Sequence, residues 1–257
     1  MILAIDIGNT NIVIGCCADG QVIFRERVST NPTATVLEYA AMLKMAFDMN
    51  RADITAVDGA ILSSVVPAVT LTMRDAVHKY LHLTPLVVGP GMKTGLNIAL
   101  DNPATMGSDL VVGAAAALAM HAPPLIIIDM GTATTMTVID REARVLGGAI
   151  IPGVGISLEA LASGTSQLPH ISLDAPKKCI STDTIEAMRS GSVYGTAAML
   201  DGMIERMEDE LGESATVIAT GGLGGIVIPH CRREVIYEKN LLLNGLWELY
   251  QKNKRKR

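Results

Sequence analysis

Residues 125–140, LIIIDMGTATTMTVID, are the stretch from which the fold of this chain is inferred. The apolar run Leu125–Ile128 predicts a buried strand, because short β-branched runs bounded by turn residues are typical of a sheet core. Asp129 follows at the end of that strand, where a carboxylate costs free energy unless a cation or hydrogen-bond donors compensate it. Gly131 has no Cβ, so backbone N–H groups can approach a ligand closely, and threonine hydroxyls follow it. The segment therefore predicts a hairpin that can hold a phosphate with a metal ion beside it.

The N-terminal residues 1–14 repeat this pattern. There too an apolar run ends in Asp-x-Gly, formed by Asp6 and Gly8, and a polar turn leads into a second apolar run. The two Asp-x-Gly copies lie 123 positions apart, and the similarity extends weakly into the hairpin that follows each of them. One copy is a weak signal that an ordinary turn explains, whereas two copies in register predict two related halves. We place these halves at 1–116 and 117–257.

Composition limits the classes of protein to which the chain can belong. Its 257 residues can bury a substantial core, and a 3% aromatic share means that aliphatic residues must build it. The net charge of −5 argues against nucleic acid as the main partner. The basic run at residues 252–257 is an exception, and we expect it to be a solvated tail.

The location of the protein is predicted from its cysteines and its apolar runs. The four cysteines have no C-x-x-C spacing, so we expect reduced thiols in a cytoplasmic protein. Met1 opens directly into a predicted core strand, which argues against a signal peptide. The longest apolar run, near Leu110–Met120, is too short to cross a bilayer, so we expect a soluble protein without a membrane partner. The cysteines are Cys16, Cys17, Cys179 and Cys231.

Periodicity along the chain predicts an α/β protein in which strands and helices alternate. Residues 89–103 form a long predicted loop between regular elements, and such a loop is often functional. The predicted strands are 1–17, which contains the first hairpin, then 21–29, 59–66, 84–88, 125–140, which contains the second, 145–152 and 216–219. The first predicted helix ends near residue 50, and the second begins at 67. The other predicted helices span 105–120, 153–163, 181–211 and 240–253.

Two common nucleotide-binding motifs are absent from the sequence. No G-x-x-x-x-G-K-[ST] occurs, and no G-x-G-x-x-G follows the first strand. The glycine-rich stretch 221–225 comes late and lacks a suitably placed acidic partner for a ribose. If phosphates bind here, backbone amides, hydroxyls and a metal ion must balance their charge. This requirement is met if Asp6 and Asp129 face one site as metal ligands.

Three segments resemble the phosphate 1, phosphate 2 and adenosine motifs of the actin-like ATPase superfamily, which includes acetate and sugar kinases. They are D-x-G-N-T-N at 6–11, D-x-G-T-A-T-T at 129–135 and A-T-G-G at 219–222. More specifically, the chain resembles type III pantothenate kinase over essentially its whole length. The supporting stretches are S-S-V-V-P at 63–67, G-G-x-x-x-P-G at 147–153, T-x-x-L-P at 165–169, T-x-x-A-x-x-x-G at 184–191 and L-x-G-L at 243–246.

The resemblance implies both a fold and an activity. The fold is α/β, with two related ribonuclease H-like (actin-like ATPase) domains, each a mixed sheet flanked by helices, and a cleft between them. The activity is ATP-dependent phosphorylation of pantothenate to 4'-phosphopantothenate, the first step towards coenzyme A. The family uses Mg²⁺ with ATP and a monovalent cation, usually K⁺. Its members are usually homodimers with the substrate pocket at or near the subunit interface.

The resemblance also implies roles for individual residues. Asp109 matches the general base, and a positioned base is typically worth roughly 10²–10⁴-fold in rate. Asp129 matches the residue that holds the monovalent cation. The implied ATP contacts are Asp6, Gly8, Asn9, Thr10, Asn11, Thr132, Gly221 and Gly222. The implied pantothenate contacts are Gly107, Ser108, Asp109, Leu110 and Thr184.

The sequence departs from the family at two positions on the acceptor side. Leu110 stands where the family usually has an arginine, which supplies a charged donor fork for the carboxylate of the substrate or for charge developing at the site. Leu100 stands where an aromatic residue is common. These departures keep open two alternatives to pantothenate kinase, namely a nucleotide-binding regulatory relative and a kinase for another small hydroxy compound. A sugar kinase with a zinc-binding Cys/His cluster is disfavoured by the cysteine spacing.

Overall fold

The computed structural model describes residues 1–254, which separate into two compact units. Unit 1 consists of residues 1–96, 101–120 and the C-terminal segment from Asn240, and unit 2 consists of 97–100 and 121–239. The units differ from the predicted halves mainly because the C-terminal helix packs with unit 1. The halves themselves stay a prediction, since they describe the sequence repeat. The end of the predicted basic tail, residues 255–257, lies outside the described residues.

The sheet of unit 1 has the strand order β3-β2-β1-β4-β5. The central strand β1 pairs antiparallel with β2 and parallel with β4, so the sheet is mixed. All six residues of β1 are buried, because helices cover both of its faces. The strands are β1 (Ile2–Ile7), β2 (Asn11–Ala18), β3 (Gln21–Ser29), β4 (Gly59–Ser64) and β5 (Leu86–Val87).

The helices of unit 1 cover the two faces of this sheet in pairs. Leu3, Ile5 and Ile7 share an apolar cluster with the first pair, α1 (Val36–Met49) and α2 (Pro67–Leu81). Ile2 and Ala4 share another cluster with the second pair, α3 (Ser108–Met120) and α7 (Leu241–Asn253). Side chains alternate between the faces of a strand, so Asp6 lies on the same face as Ile2 and Ala4, the face that α3 covers.

The sheet of unit 2 has the strand order β11-β10-β7-β8-β9-β6. Ile126, Ile128 and Met130 of β7 pack in an apolar cluster with helices of this unit, which puts Asp129 on the opposite face. The strands are β6 (Asn97–Ile98), β7 (Leu125–Met130), β8 (Ala133–Ile139), β9 (Arg144–Pro152), β10 (Thr216–Thr220) and β11 (Ile236–Tyr237). The helices are α4 (Val154–Ser163), α5 (Thr184–Leu211) and the short α6 (Gly224–Val227).

The two sheets repeat one topology, which confirms the internal repeat predicted from the sequence. The order β9-β8-β7-β10-β11 matches β3-β2-β1-β4-β5, with the same antiparallel and parallel pairings. Strands β3 and β9 are displaced by 123 positions at both ends, as are Asp6 and Asp129. Among the strands of residues 1–254, β6 alone has no counterpart, and it adds an edge to the second sheet by pairing parallel with β9.

Local signals explain where several helices begin. Thr35 and Glu38 form a reciprocal capping box at the start of α1, and Pro67 occupies the first turn of α2. Asp183 caps α5 by accepting a hydrogen bond from the Glu186 amide at 3.0 Å. Helix α3 begins three residues later than predicted, since residues 103–105 form a separate 3₁₀ turn. None of the helices in residues 1–254 is both long and apolar enough to cross a membrane.

Candidate functional site

The turn between β1 and β2 is held by a hydrogen bond within the turn and by two hydrogen bonds from Thr30. The Gly8 amide donates to the Asn11 carbonyl at 2.9 Å, which closes the turn. Thr30, just beyond β3, donates its hydroxyl to the Gly8 carbonyl at 2.6 Å and its amide to the Thr10 carbonyl at 2.9 Å. Thr30 lies outside the repeated motif, so no sequence pattern singles it out. Its two bonds fix the carbonyls of the turn and leave exposed polar residues at its tip.

The turn between β7 and β8 is one residue shorter than its counterpart. Here the Gly131 amide donates to the Ala133 carbonyl at 3.0 Å. Consistent with this, Asp129 pairs with Thr135, whereas Asp6 pairs with Val13. The two turns are therefore related but not identical, and they end in different polar groups.

Two glycines at the second turn serve different purposes. A Cβ on Gly153, at the start of α4, would lie 2.2 Å from the Thr132 carbonyl oxygen, so this glycine lets α4 pack against the turn. A Cβ on Gly131 would lie 3.5 Å from the Ala133 oxygen and 3.8 Å from Asp129 Oδ1, which are ordinary contacts. The protein itself therefore has room for a side chain at Gly131. The absence of one keeps the exposed backbone accessible to a ligand.

The glycine-rich loop after β10 lies next to this second turn in unit 2. Thr220, the last residue of β10, pairs with Asp129 in the parallel register. Gly221 follows with φ +98°, and a Cβ there would lie 2.5–2.6 Å from backbone atoms of Met130. Only glycine satisfies both conditions. The structure thus brings the predicted Gly221 and Gly222 to the carboxyl end of β7, where parallel strands of open α/β sheets commonly bind ligands.

The start of α3, which carries the predicted acceptor residues, is anchored to β4 in unit 1. Ser108 donates its hydroxyl to the Ser64 carbonyl at 2.9 Å, and the buried Ser63 hydroxyl donates to Ser108 Oγ at 3.1 Å. Ser63 is the neighbour of Asp6 in the sheet register and shares its face. The hydroxyl of Ser108 is therefore directed towards β4, while Asp6, Ser63 and α3 share one side of the sheet.

Asp109 lies half-buried in the first turn of α3. Its Oδ1 accepts a hydrogen bond from the Leu110 amide at 2.9 Å. A carboxylate at this position also interacts favourably with the positive end of the helix dipole. Gly107 and Leu110, which belong to the same short segment of four predicted residues, are also half-buried.

Thr184, the remaining predicted acceptor contact, and Leu100, which departs from the family, lie in unit 2. Leu100 has its Cδ2 atom 3.5 Å from the position a Cβ would take on Gly147, so its side chain packs on β9. Thr184 is exposed at the start of α5 and lines a groove of about 630 Å³ between α4 and α5. We define this groove by its lining residues and call it the α4–α5 groove. They are Val154, Ser157, Leu161, Leu168, Thr184, Ala187, Met188, Gly191, Ser192, Gly195, Thr196 and Met199, none of which is charged.

The structure limits the metal chemistry of the chain. Within residues 1–254, no group of three or more His, Cys, Asp or Glu side chains is placed to hold a metal ion. For a metal bound at either Asp-x-Gly turn, the other available ligands are backbone and hydroxyl oxygens, the oxygens of a bound phosphate and water. This arrangement suits Mg²⁺, which is usually bound through one or two carboxylates together with substrate phosphates.

Burial keeps the thiols of the two buried cysteines protonated. Burial raises the pKa of the Cys16 thiol to about 12, with a smaller contribution from Cys17. Burial likewise raises the pKa of the Cys17 thiol to about 12. Both side chains are therefore neutral thiols at pH 7, and they pack in the core of unit 1.

Comparison with known proteins identifies relatives over the whole chain. The profile of the family described as type III pantothenate kinase matches residues 2–206. A type III pantothenate kinase from an Exiguobacterium species is 44% identical over 255 residues, which cover 99% of this chain and 100% of the relative. A type III pantothenate kinase from Halalkalibacterium halodurans is 40% identical over 253 residues, which cover 98% of this chain and 100% of the relative.

Solved structures with little sequence identity share the fold. An activator of 2-hydroxyisocaproyl-CoA dehydratase from Clostridium difficile, with bound ADPNP, matches with a TM-score of 0.56 and 13% identity, covering 100% of this chain and 98% of that one. A ROK family glucokinase from Streptomyces griseus, in complex with glucose and AMPPNP, matches with a TM-score of 0.56 and 14% identity, covering 97% and 98%. The fold is therefore that of the actin-like ATPases and the related sugar kinases, as the sequence motifs predicted.

The two glycines of the second turn allow a test of its role. We expect Gly131→Ala to fold with unchanged stability, or with a gain of about 0.4–1 kcal/mol, because the new methyl group fits. Its affinity for a non-hydrolysable ATP analogue should fall at least about tenfold, or about 1.4 kcal/mol, because the methyl group blocks close approach of a phosphate. Thermal denaturation and calorimetric titration measure the two quantities.

The matched control is Gly153→Ala, whose methyl group would clash with the Thr132 carbonyl. It should lose about 1–3 kcal/mol of stability through overpacking. A Gly131→Ala protein that binds the nucleotide as tightly as the natural protein would show that this turn does not contact it.

Proposed function

The chain belongs to the type III pantothenate kinase family, and from this membership we infer that it transfers the γ-phosphoryl group of ATP to pantothenate. The product is 4'-phosphopantothenate, and the reaction is the first step of coenzyme A biosynthesis. The observation that carries this conclusion is the identity of 40–44% to type III pantothenate kinases over nearly all of both chains. The repeated Asp-x-Gly turns fit it, because they supply two backbone sites for phosphates on a fold shared with ATP-dependent kinases.

We propose that both Asp-x-Gly turns contact ATP. Phosphoryl transfer depends mainly on positioning and on neutralising charge, and exposed turn amides and hydroxyls supply both. The glycine-rich loop at Gly221 and Gly222 would hold the adenosine part of the nucleotide. In the turns, the proposed contacts are Asp6, Gly8, Asn9, Thr10, Asn11 and Thr132.

Asp109 is the proposed general base. It would accept the proton of the primary hydroxyl of pantothenate as that oxygen attacks the γ-phosphorus. The hydrogen bonds that join Ser108 to β4 support this role, because they fix the first turn of α3 and with it the position of the carboxylate. Gly107, Ser108, Leu110 and Thr184 are the other proposed acceptor contacts.

We further propose two cations for the reaction. Mg²⁺ would accompany ATP and supply charge neutralisation, with Asp6 near it, and Asp129 would hold a monovalent cation such as K⁺. Each acid lies near the end of its strand, and no group of three or more His, Cys, Asp or Glu side chains in residues 1–254 is placed to hold a metal ion, so phosphate oxygens and water would supply further ligands.

The apolar surface of α4 and α5 supports a homodimer. Ile156, Leu161 and Ile185 are 42–49% exposed on these helices, and Leu161 also lines the uncharged α4–α5 groove. Contiguous exposed apolar surface commonly marks an interface between proteins. A cytoplasmic location, with no nucleic-acid or membrane partner, is part of the proposal, and the net charge of −5 and the four free cysteines are consistent with it.

Leu110 and Leu100, the two departures from the family on the acceptor side, favour a second function. A leucine cannot donate a charged hydrogen bond to the carboxylate of pantothenate, so the chain could instead bind nucleotide as a regulatory relative or phosphorylate another small hydroxy compound. Sequence identity over the full chain favours the kinase of pantothenate. Leu110 in place of the usual arginine then affects the affinity for pantothenate.

Replacing the proposed base tests the mechanism. Asp109→Asn should lower kcat by about 10²–10⁴-fold, because the amide cannot accept the hydroxyl proton. The KM for ATP should change little, since this side chain does not bind the nucleotide in our assignment. Steady-state assays of ADP release measure both parameters. Asp75→Asn is the control, since Asp75 is an exposed acid of unit 1 that pairs with Arg74. An Asp109→Asn enzyme with more than a tenth of the natural kcat would contradict the assignment.

Restoring the arginine tests the acceptor side. We expect the natural protein to release ADP when pantothenate is added, and Leu110→Arg to lower the KM for pantothenate about tenfold through charge-assisted hydrogen bonds. The control is Leu71→Arg, at a leucine 59% exposed on α2. Turnover in Leu110→Arg alone would identify the natural protein as the regulatory relative. Screening hydroxy acids, amides and sugars with ATP would reveal another acceptor.

The proposed K⁺ site and the proposed homodimer can be tested on the same purified protein. Activity with Mg²⁺ should fall when K⁺ is replaced by Na⁺, and the protein should sediment at twice its chain mass of 27.1 kDa. Ile156→Glu should shift it towards the monomer, whereas Ile23→Glu, at a residue 55% exposed on β3, should not. Equal rates in both salts would contradict the K⁺ site, and a natural protein that sediments at the chain mass would contradict the dimer.

A further inference from the structure

Tyr237, the last residue of β11, contacts the glycine-rich loop that follows β10. Its hydroxyl donates a hydrogen bond to the Gly221 carbonyl at 2.8 Å. Its ring covers the next glycines, because a Cβ on Gly224 would lie 2.4 Å from the ring atom Cε2 and one on Gly225 would lie 3.8 Å from Cε1. One side chain therefore touches both ends of the segment 221–225, which we call the glycine loop and whose last two residues begin α6.

The glycine loop is held from its other side by the end of β7. Gly221 packs against the Met130 backbone so closely that no Cβ fits between them, and its φ of +98° requires glycine. The position of Tyr237 is itself fixed by the sheet. Tyr237 pairs with Ala219 in the parallel register, and the Glu238 amide donates to the Ala219 carbonyl at 2.8 Å. The glycine loop thus lies between two backbone-anchored elements, β7 and β11.

The composition of the loop explains why it needs such support. Four of its five residues are glycine, and glycine loses more backbone freedom on ordering than any other residue. A loop of this kind would bind a ligand weakly if binding had to order it. A clamp present before the ligand arrives removes that cost from the binding step.

We propose that Tyr237 is a positioning residue for nucleotide binding, which holds the glycine loop in its binding conformation through the Gly221 carbonyl and the face of Gly224. The inference rests on the proposed function, in which this loop holds the adenosine part of ATP. Tyr237 acts through the loop, so it controls affinity for the nucleotide and leaves the phosphoryl-transfer step and the acceptor untouched. The sequence motifs did not single it out, because it lies outside the Ala-Thr-Gly-Gly stretch and meets the loop only through the sheet.

The experiment compares Tyr237→Phe, Tyr237→Leu and the control Tyr194→Phe. Tyr194 is a half-buried tyrosine of unit 2 whose ring contacts His230 on its edge. The readouts are calorimetric affinity for a non-hydrolysable ATP analogue with Mg²⁺, steady-state KM and kcat, and hydrogen exchange of the loop amides without nucleotide.

Tyr237→Phe should weaken the analogue and raise the KM for ATP about 3- to 10-fold, the effect of one neutral hydrogen bond. The kcat and the KM for pantothenate should stay within about twofold, because Tyr237 does not touch the reacting groups. The loop amides should exchange faster in Tyr237→Phe than in the natural protein or in Tyr194→Phe. Tyr237→Leu, which also removes the ring, should weaken the analogue further.

Unchanged affinity and unchanged exchange in Tyr237→Phe would overturn the inference, whatever Tyr237→Leu does to folding. A fall in kcat with no change in the KM for ATP would overturn it as well. Failure of the proposed function gives a different result. In that case the natural protein and Tyr194→Phe would themselves show no binding of the analogue.

Discussion

The structure depends on one constraint, which is the placement of a carboxylate at the end of a buried strand immediately before a turn. Asp6 is 8% exposed at the end of β1, and a charge so placed needs compensation from donors or a cation. The apolar residues of β1 that alternate with it pack against α1 and α2, so the acid must face the side of α3. In β7 the same alternation directs Asp129 away from the apolar cluster of unit 2. Burial of one face of the strand thus fixes the direction of the acid on the other.

The two copies of this arrangement have diverged in what supports them. In unit 1 the turn is held by Thr30, whereas in unit 2 the shorter turn is backed by Gly153 and by α4. Unit 2 has also gained the contact of Tyr237 with the glycine loop. In unit 1 the end of β4, the counterpart of β10, instead contacts the start of α3 through the hydrogen bond between Ser63 and Ser108. The sheets of the two units therefore share a topology but have different side chains at equivalent edges. This difference suits a chain that binds a nucleotide and also activates an acceptor.

Local patterns in the sequence were sufficient for much of this structure. The apolar runs that end in the two Asp-x-Gly motifs each predict a buried strand from neighbouring residues alone, and the structure has those strands. Contacts distant in sequence were beyond such patterns. Pairing of β6 with β9, the return of α7 to unit 1 and the bond from Ser63 to Ser108 each join segments more than 40 positions apart. Periodicity describes which face of an element is apolar and carries no information about its partner.

Hydrogen exchange of the natural protein, with and without a non-hydrolysable ATP analogue and Mg²⁺, tests the central claim most directly. The claim is that both Asp-x-Gly turns bind the nucleotide. It predicts slower exchange of the amides in residues 8–11 and in residues 131–133 when the analogue is present, with exposed loops such as that at Asp19 and Gly20 unchanged. Protection of only one turn, or of neither, at saturating analogue would contradict it.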